Sequence, residues 1–189
     1  MMISVPVVPK PLRKRNNMKG LTRFQLGLTI VALAFVLDRL SKWWITDILE
    51  LPKIQMVQIL PIFNLQWAEN RGVSFSMFTA DGDLGRWMLV GVTLLIVIGL
   101  SVWLKSAQTR LLVVALALVI GGALGNIYDR ALFGYVIDFL QFHVGDWSFA
   151  IFNVADSCIS VGAALLLWDS FFGPDTKKDR SEEKTSDPR

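Results

Sequence analysis

Apolar positions in this chain are not scattered at one spacing throughout; they are gathered into four long runs. The first extends from about Phe24 to Trp44, with an uncharged part from Phe24 to Leu37 followed by Asp38, Arg39 and Lys42. The second, Trp87 to Leu104, and the third, Leu111 to Tyr128, carry no charge, and the fourth runs from about Phe152 to Phe172 with one early acid, Asp156. Each run is close to the roughly 20 apolar residues needed to cross a bilayer as a helix. The pattern predicts an all-α polytopic membrane protein with four transmembrane helices.

The connections have a different period. Between Ile54 and Phe78, the apolar Phe63, Leu65 and Trp67 alternate with Asn64 and Gln66, and a turn signal follows at Asn70 to Gly72. Alternation at period two predicts a small extracytoplasmic β-hairpin or sheet between the first and second helices. Between the third and fourth, Phe139 to Phe152 has a Gly145-Asp146 turn flanked by aromatic arms. It is expected as an outer loop, with Trp147 and Phe149 suited to the membrane's interfacial belt.

Composition narrows the class. Of 189 residues, 53% are hydrophobic and 19% charged, and the mean hydropathy is +0.48, which excludes a soluble globule. One Cys and one His leave no disulfide framework, no CxxC pair and no zinc-binding cluster, so neither a metal nor a cofactor is expected. The net charge of +3 raises the question of nucleic acid. The basic residues, however, sit at the edges of the apolar runs and form no stripe with interleaved aromatics, so no nucleic-acid partner is expected.

Those basic residues report topology instead. Lys10, Arg13, Lys14, Arg15, Lys19 and Arg23 precede Asp38 with no acid among them, which places the N-terminal end in the cytoplasm. Four crossings return the C-terminus to the same side, in agreement with the basic link Lys105 to Arg110 and with Lys177, Lys178 and Arg180. A cleaved signal peptide is the competing reading of the first run. It leads into Asp-Arg-Leu-Ser-Lys-Trp-Trp with no small-x-small site, so a retained helix is expected. The chain divides into a basic cytoplasmic segment, residues 1–22, a four-helix membrane domain, residues 23–173, and a polar cytoplasmic tail, residues 174–189. Residues 1–17, with Pro6, Pro9 and Pro11, are expected to be disordered, and Met18 is an equally good start. The tail, with five acids, five bases and no apolar residue, is expected to be solvated.

With this topology Asp38, Lys42, Asp129, Arg130, Asp138 and Asp156 all fall at the outer level. Ionisable groups within spans are costly, roughly 2.5 to 3.5 kcal/mol at mid-depth, so such a group pairs, lines a wet cavity or does chemistry. Asp138 and Asp156 lie 18 residues apart, one just after the third span and one in the first turns of the fourth. Two carboxylates close together in a low-dielectric site share one proton: the ionised partner can deprotonate water while the protonated one donates to a carbonyl oxygen. That is the logic of aspartic proteolysis, and it requires no metal and no nucleophilic side chain.

Blander roles stand beside this one. Asp156 near a helix start is also a natural cap or dipole partner. Asp38 and Lys42, spaced i and i+4, read as a structural ion pair, and Asp129 with Arg130 as an outer-end clamp whose Arg can hold a carboxylate or meet a lipid phosphate. Asn126 reads as an interhelical hydrogen-bonding residue, His143 as structural, Cys158 as a small core residue, and Gly121, Gly122 and Gly125 as signs of close helix packing. Ser41, Ser74 and Ser157 have no local base that would make them nucleophiles.

Five blocks in order carry a family resemblance: Asp38-x-x-x-Lys42; Asn70-x-Gly72-x-Ser74-Phe75; Gly121-Gly122-x-x-Gly125-Asn126-x-x-Asp129-Arg130; Val136-x-Asp138-Phe139; and Phe152-Asn153-x-Ala155-Asp156-Ser157. In these the chain resembles the bacterial lipoprotein signal peptidases, also called signal peptidase II. The resemblance covers roughly Asp38 to Trp168. It implies an aspartic endopeptidase of the bacterial inner membrane that removes signal peptides from prolipoproteins immediately before a diacylglyceryl-modified Cys. It further implies Asp138 and Asp156 as the catalytic pair, and supporting or substrate-binding roles for Asn70, Gly72, Asn126, Arg130, Asn153 and Ala155. Asp38 and Lys42 become structural or supporting, membrane lipids become partners, and globomycin is the expected inhibitor.

Two other classes compete. A small transporter or channel can also collect charges in a four-helix bundle, but coupled transport favours ionisable groups near mid-bilayer and an inverted repeat, neither of which is visible. A noncatalytic assembly factor predicts that Asp138→Asn and Asp156→Asn are tolerated.

Overall fold

The computed structural model describes residues 22–72, 83–145 and 147–172. The expectations for residues 1–17, for Ser74 and Phe75, for Asp146 and for the tail lie outside them. Four helices are long and apolar enough to cross a membrane: Arg23–Ile48, Leu84–Ser106, Arg110–Phe133 and Val154–Phe172. The chain is a multi-pass membrane protein of the expected class, with the first three spans longer than the apolar runs that announced them and the fourth starting two residues later than its run.

Helix α1 (Arg23–Trp43) opens on a capping box: Thr22 Oγ1 accepts from the Gln25 N–H at 3.2 Å and Gln25 Oε1 accepts from the Thr22 N–H at 3.0 Å. It ends in a π-helical turn, Trp44–Ile48, then a one-turn helix α2 (Leu51–Ile54). Helix α3 spans Asp83–Ser106 and α4 spans Arg110–Phe133, the latter capped by Thr109, whose hydroxyl accepts from the Leu112 N–H at 3.0 Å. Helix α5 covers Val154–Phe172. The third span therefore runs five residues past Tyr128, which puts Asp129 and Arg130 inside the helix rather than beside it.

Helix α4 is the centre of the bundle and packs against α1, α3 and α5. Its small residues make this possible. A Cβ on Gly121 would lie 2.7 Å from the Ala34 Cβ, and one on Gly122 would collide with the carbonyl of Ala155. The expectation that these glycines serve close helix approach is met. In lipid, where tails are as apolar as Leu, such backbone contact and interhelical hydrogen bonds replace the hydrophobic drive of a soluble core.

The connections form one antiparallel sheet in the order β1-β2-β3-β4: Met56–Leu60, Phe63–Asn70, Val136–Val144 and Trp147–Ser148. The expected turn at Asn70 to Gly72 is present and closes β2, while the hairpin joining β1 and β2 turns at Pro61 and Ile62, where proline's fixed φ suits a turn. One expectation needs correction. The connection between α4 and α5 is not a plain loop, because it supplies β3 and β4 to the same sheet. Unpaired backbone groups near a membrane are expensive, and pairing with β2 satisfies them. Under the sheet, Ile45, Leu51, Leu65, Ile137 and Phe139 form a compact apolar cluster.

Candidate active site

Two local features bring Asp138 and Asp156 to one place. The first is the register of the sheet. Asp138 stands opposite Ala68 of β2, beyond a bulge between Leu65 and Ala68, and the far edge of β3 is gripped by the segment entering α5. The Phe139 and Leu140 N–H groups both donate to the Phe152 carbonyl, at 3.0 and 2.8 Å, and the Phe152 N–H donates back to the Leu140 carbonyl at 3.0 Å. Asn153 therefore starts beside Asp138.

The second feature is a capping box. Asn153 Oδ1 accepts from the Asp156 N–H at 2.9 Å, and Asp156 Oδ2 accepts from the Asn153 N–H at 3.3 Å. The capping reading of Asp156 is thus correct, and it is compatible with a chemical role because the cap engages Oδ2 through a neutral main-chain donor and leaves the carboxylate without a cation. The remaining end of Asn153, its Nδ2, donates to Asp138 Oδ1 at 2.6 Å. One asparagine accordingly bridges both carboxylates, by main chain to one and side chain to the other. Asp156 also sits at the positive end of α5, which favours negative charge.

The other donors are neutral as well. Asn70 Nδ2 donates to Asp138 Oδ2 at 3.0 Å, while Asn70 Oδ1 accepts from the Gly72 N–H at 3.0 Å, a tight turn for which the Gly72 φ of 98° is suited. Asn126 Nδ2 donates to Asp156 Oδ1 at 2.8 Å. Asp138 is almost completely buried and Asp156 partly exposed. Burial pushes the Asp138 carboxyl up to about 6; the nearby Asp156 charge adds to the rise, and the hydrogen bonds from Asn70 and Asn153 oppose it.

Beneath this pair lies a second cluster, on α1 and α4. Lys42 Nζ meets Asp38 Oδ2 at 2.9 Å and Asp129 Oδ2 at 2.6 Å, and approaches Asn126 Oδ1 at 3.4 Å. Arg39 binds Asp129 Oδ1 at 2.5 Å and packs its guanidinium 4.6 Å above the Tyr128 ring. The i, i+4 ion pair foreseen for Asp38 and Lys42 is present, but the clamp foreseen for Asp129 with Arg130 is not. Asp129 pairs with α1, because its fully buried side chain faces that helix. Arg130 closes no ion pair among the described residues; its Nε lacks a partner, and its guanidinium senses the charges of Asp156, Asp138 and Asp129.

The remaining predicted residues fall into place. The Ala155 N–H donates to Asp38 Oδ1 at 3.0 Å, and a Cβ on Gly125 would lie 2.5 Å from Asp38 Oδ2. Asn126 does join helices, linking α1 and α5 across α4. The Ser41 and Ser157 hydroxyls donate to carbonyls of their own segments, Asp38 and Asn153, as idle helix serines do. His143 lies on β3 with Nε2 buried and unpartnered, away from the pair. Arg39 was not foreseen as a site residue: its partner Asp129 is 90 positions away, beyond any local spacing rule.

Comparison with known proteins follows the same lines. The model of the family described as Signal peptidase (SPase) II matches residues 30–172. A lipoprotein signal peptidase of Sphingopyxis alaskensis is 47% identical over 144 residues, covering 76% of this chain and 83% of that protein. Its counterpart in Methylobacterium radiotolerans is 41% identical over 168 residues, covering 89% and 98%. A solved bacterial membrane enzyme, determined by the in meso method, superposes with a TM-score of 0.66 at 27% identity over 78% of this chain and 93% of its own. Another superposes at 0.65 with 24% identity, over 87% and 94%, which speaks for the fold.

Proposed function

The chain belongs to the signal peptidase II family, and from that premise we propose that Asp138 and Asp156 are the carboxylates with which it hydrolyses its substrate. It is an aspartic-type peptidase of the membrane, and its activity is removal of signal peptides from prolipoproteins. The observation that carries the assignment is Asn153, whose main-chain N–H holds one carboxylate and whose side-chain amide holds the other. No cation forms an ion pair with either of the two among the described residues, so a single proton shared between them relieves their repulsion.

In the proposed reaction a water lies between the carboxyl groups. The ionised one takes a proton from the water as its oxygen attacks the scissile carbonyl carbon, while the protonated one gives its proton to the carbonyl oxygen. The resulting gem-diol collapses as the ionised carboxylate takes a hydroxyl proton and the carbonyl re-forms, the C–N bond breaks and the protonated carboxyl gives its proton to the nitrogen. The pair ends with the single proton it began with. In this reading Arg130, whose Nε lacks a partner among the described residues, holds a substrate carbonyl or a lipid phosphate.

The finer reading extends to the substrate and its setting. Cleavage falls just before the diacylglyceryl-modified Cys, whose acyl chains lie in the surrounding lipid and fix the depth of the scissile bond. The protein sits in the bacterial inner membrane with both termini cytoplasmic and the pair near the outer face. A signal helix enters laterally from lipid, and globomycin occupies the same site. What supports this is that Asp38, Asp129, Asp138 and Asp156 all lie at one end of the bundle, next to the sheet.

The test is hydrolysis of a lipidated precursor in detergent by Asp138→Asn and Asp156→Asn. Each is expected to lose cleavage by roughly 10³-fold or more while remaining inserted and folded. Full activity in either variant overturns the assignment.

A further inference from the structure

The two clusters at this end of the bundle are connected through the main chain. Asp38 Oδ1 accepts from the N–H of Ala155, the residue before Asp156. Asp129 Oδ2 accepts from the N–H of Ile137, the residue before Asp138, at 3.3 Å. Each member of the proposed catalytic pair thus has its preceding amide tied to a buried carboxylate from another element. Lys42 joins those two carboxylates, and Arg39 supplies the second positive charge.

Resting on the reading of Asp138 and Asp156 above, we propose that Arg39 is a positioning residue of the peptidase, setting the place of Asp138 through Asp129 and the Ile137 amide without touching substrate. The charge count makes Arg39 necessary. Asp38 and Asp129 are both fully buried and carry two negative charges against Lys42 and Arg39. Without Arg39, one ammonium must serve both carboxylates, and a buried anion left short of compensation turns toward its remaining cation or takes up a proton. Either response draws Asp129 Oδ2 away from the Ile137 N–H and loosens the strand at Asp138. The aromatic face of Tyr128 holds the guanidinium in the orientation that reaches Asp129, so shape as well as charge is specified.

The experiment measures kcat and KM on a lipidated precursor in detergent for Arg39→Met, Arg39→Lys, Asp129→Asn and the Arg39→Met/Asp129→Asn double variant, each normalised to folded protein. Because displacement by about 1 Å can cost about 10²-fold in rate, Arg39→Met is expected to lower kcat about tenfold with KM within about twofold of the parent. Arg39→Lys, which keeps the charge, recovers most of that loss. In the double variant Arg39→Met adds little to Asp129→Asn, because both act on one chain of contacts. The proposal is overturned by an unchanged kcat, by a loss matched by loss of folded protein, by a change confined to KM, or by fully multiplicative effects. Asp138→Asn in parallel separates the two readings: if it is inactive while Arg39→Met is normal, positioning by Arg39 falls alone, and if it is active, both fall.

Discussion

Four carboxylates stand at one end of this bundle, and they are held in two different ways. Asp38 and Asp129 are fully buried and bound by Lys42 and Arg39. Asp138 and Asp156 are bound by the side-chain amides of Asn70, Asn126 and Asn153 and by the main-chain N–H of Asn153. A carboxylate whose charge is cancelled by a fixed cation is a structural member, since moving a proton onto it would leave that cation unpaired. One held by neutral donors keeps its place while a proton comes and goes. On the proposed reading, the same side chain serves as strut or as reagent according to whether its partners carry charge.

This contrast can be broken by substitution. The largest effect separates chemistry from stability: Asp138→Asn and Asp156→Asn are expected to remove cleavage and spare folding. Lys42→Met should do the reverse in order of severity, leaving two buried anions with one cation and costing about 3–5 kcal/mol of stability, read as a lower melting temperature in detergent. A Lys42→Met protein as stable as the parent would contradict the division.

A smaller effect is expected at the bridge. Asn153→Ala removes the side-chain donor to Asp138 and the acceptor that caps the Asp156 N–H, while keeping the main-chain donor to Asp156; with hydrogen bonds to charged groups contributing about 1.5–3 kcal/mol, kcat should fall roughly ten- to a hundredfold. A variant with normal kcat would show that the amide does not organise the pair.

The pH profile sharpens the comparison further. Asp138 is raised to about 6, mainly by burial, so in the empty enzyme it keeps its proton below that value and loses it above. In the proposed mechanism loss of the shared proton stops catalysis, so kcat/KM should fall on the alkaline side of the pair's upper apparent pKa. Substrate desolvates the site further and moves the corresponding limb of kcat to higher pH. Asn70→Ala, which removes a hydrogen bond that lowers this pKa, should shift the kcat/KM limb to higher pH; a shift to lower pH contradicts the assignment. The smallest effect belongs to an ordinary ion pair. Lys53 and Glu50 meet at 2.7 Å with both side chains largely exposed, and Lys53→Gln should leave melting temperature and kcat unchanged.

Much of this was readable in the chain. The four spans follow from runs of apolar residues long enough to cross lipid, and a backbone there must be helical, so no distant contact is needed to infer them. The strand β2 was visible in the alternation about Phe63, Leu65 and Trp67, but β3 was not. Its first residues, Val136, Ile137, Asp138 and Phe139, are all buried, which erases the alternation that marks a half-exposed strand. The role of Asn153 was likewise hidden, since a cap and a bridge have the same local sequence.

By itself the sequence determined the helical membrane class and named the candidate residues, because hydropathy and short motifs are local properties. Tertiary structure alone decided which charge meets which: Asp129 pairs with Arg39 across 90 residues and Asp38 holds Ala155 across 117. Those choices depend on the approach of α1, α4 and α5 that the glycines of α4 allow, and no spacing rule within one helix can encode the distance between two.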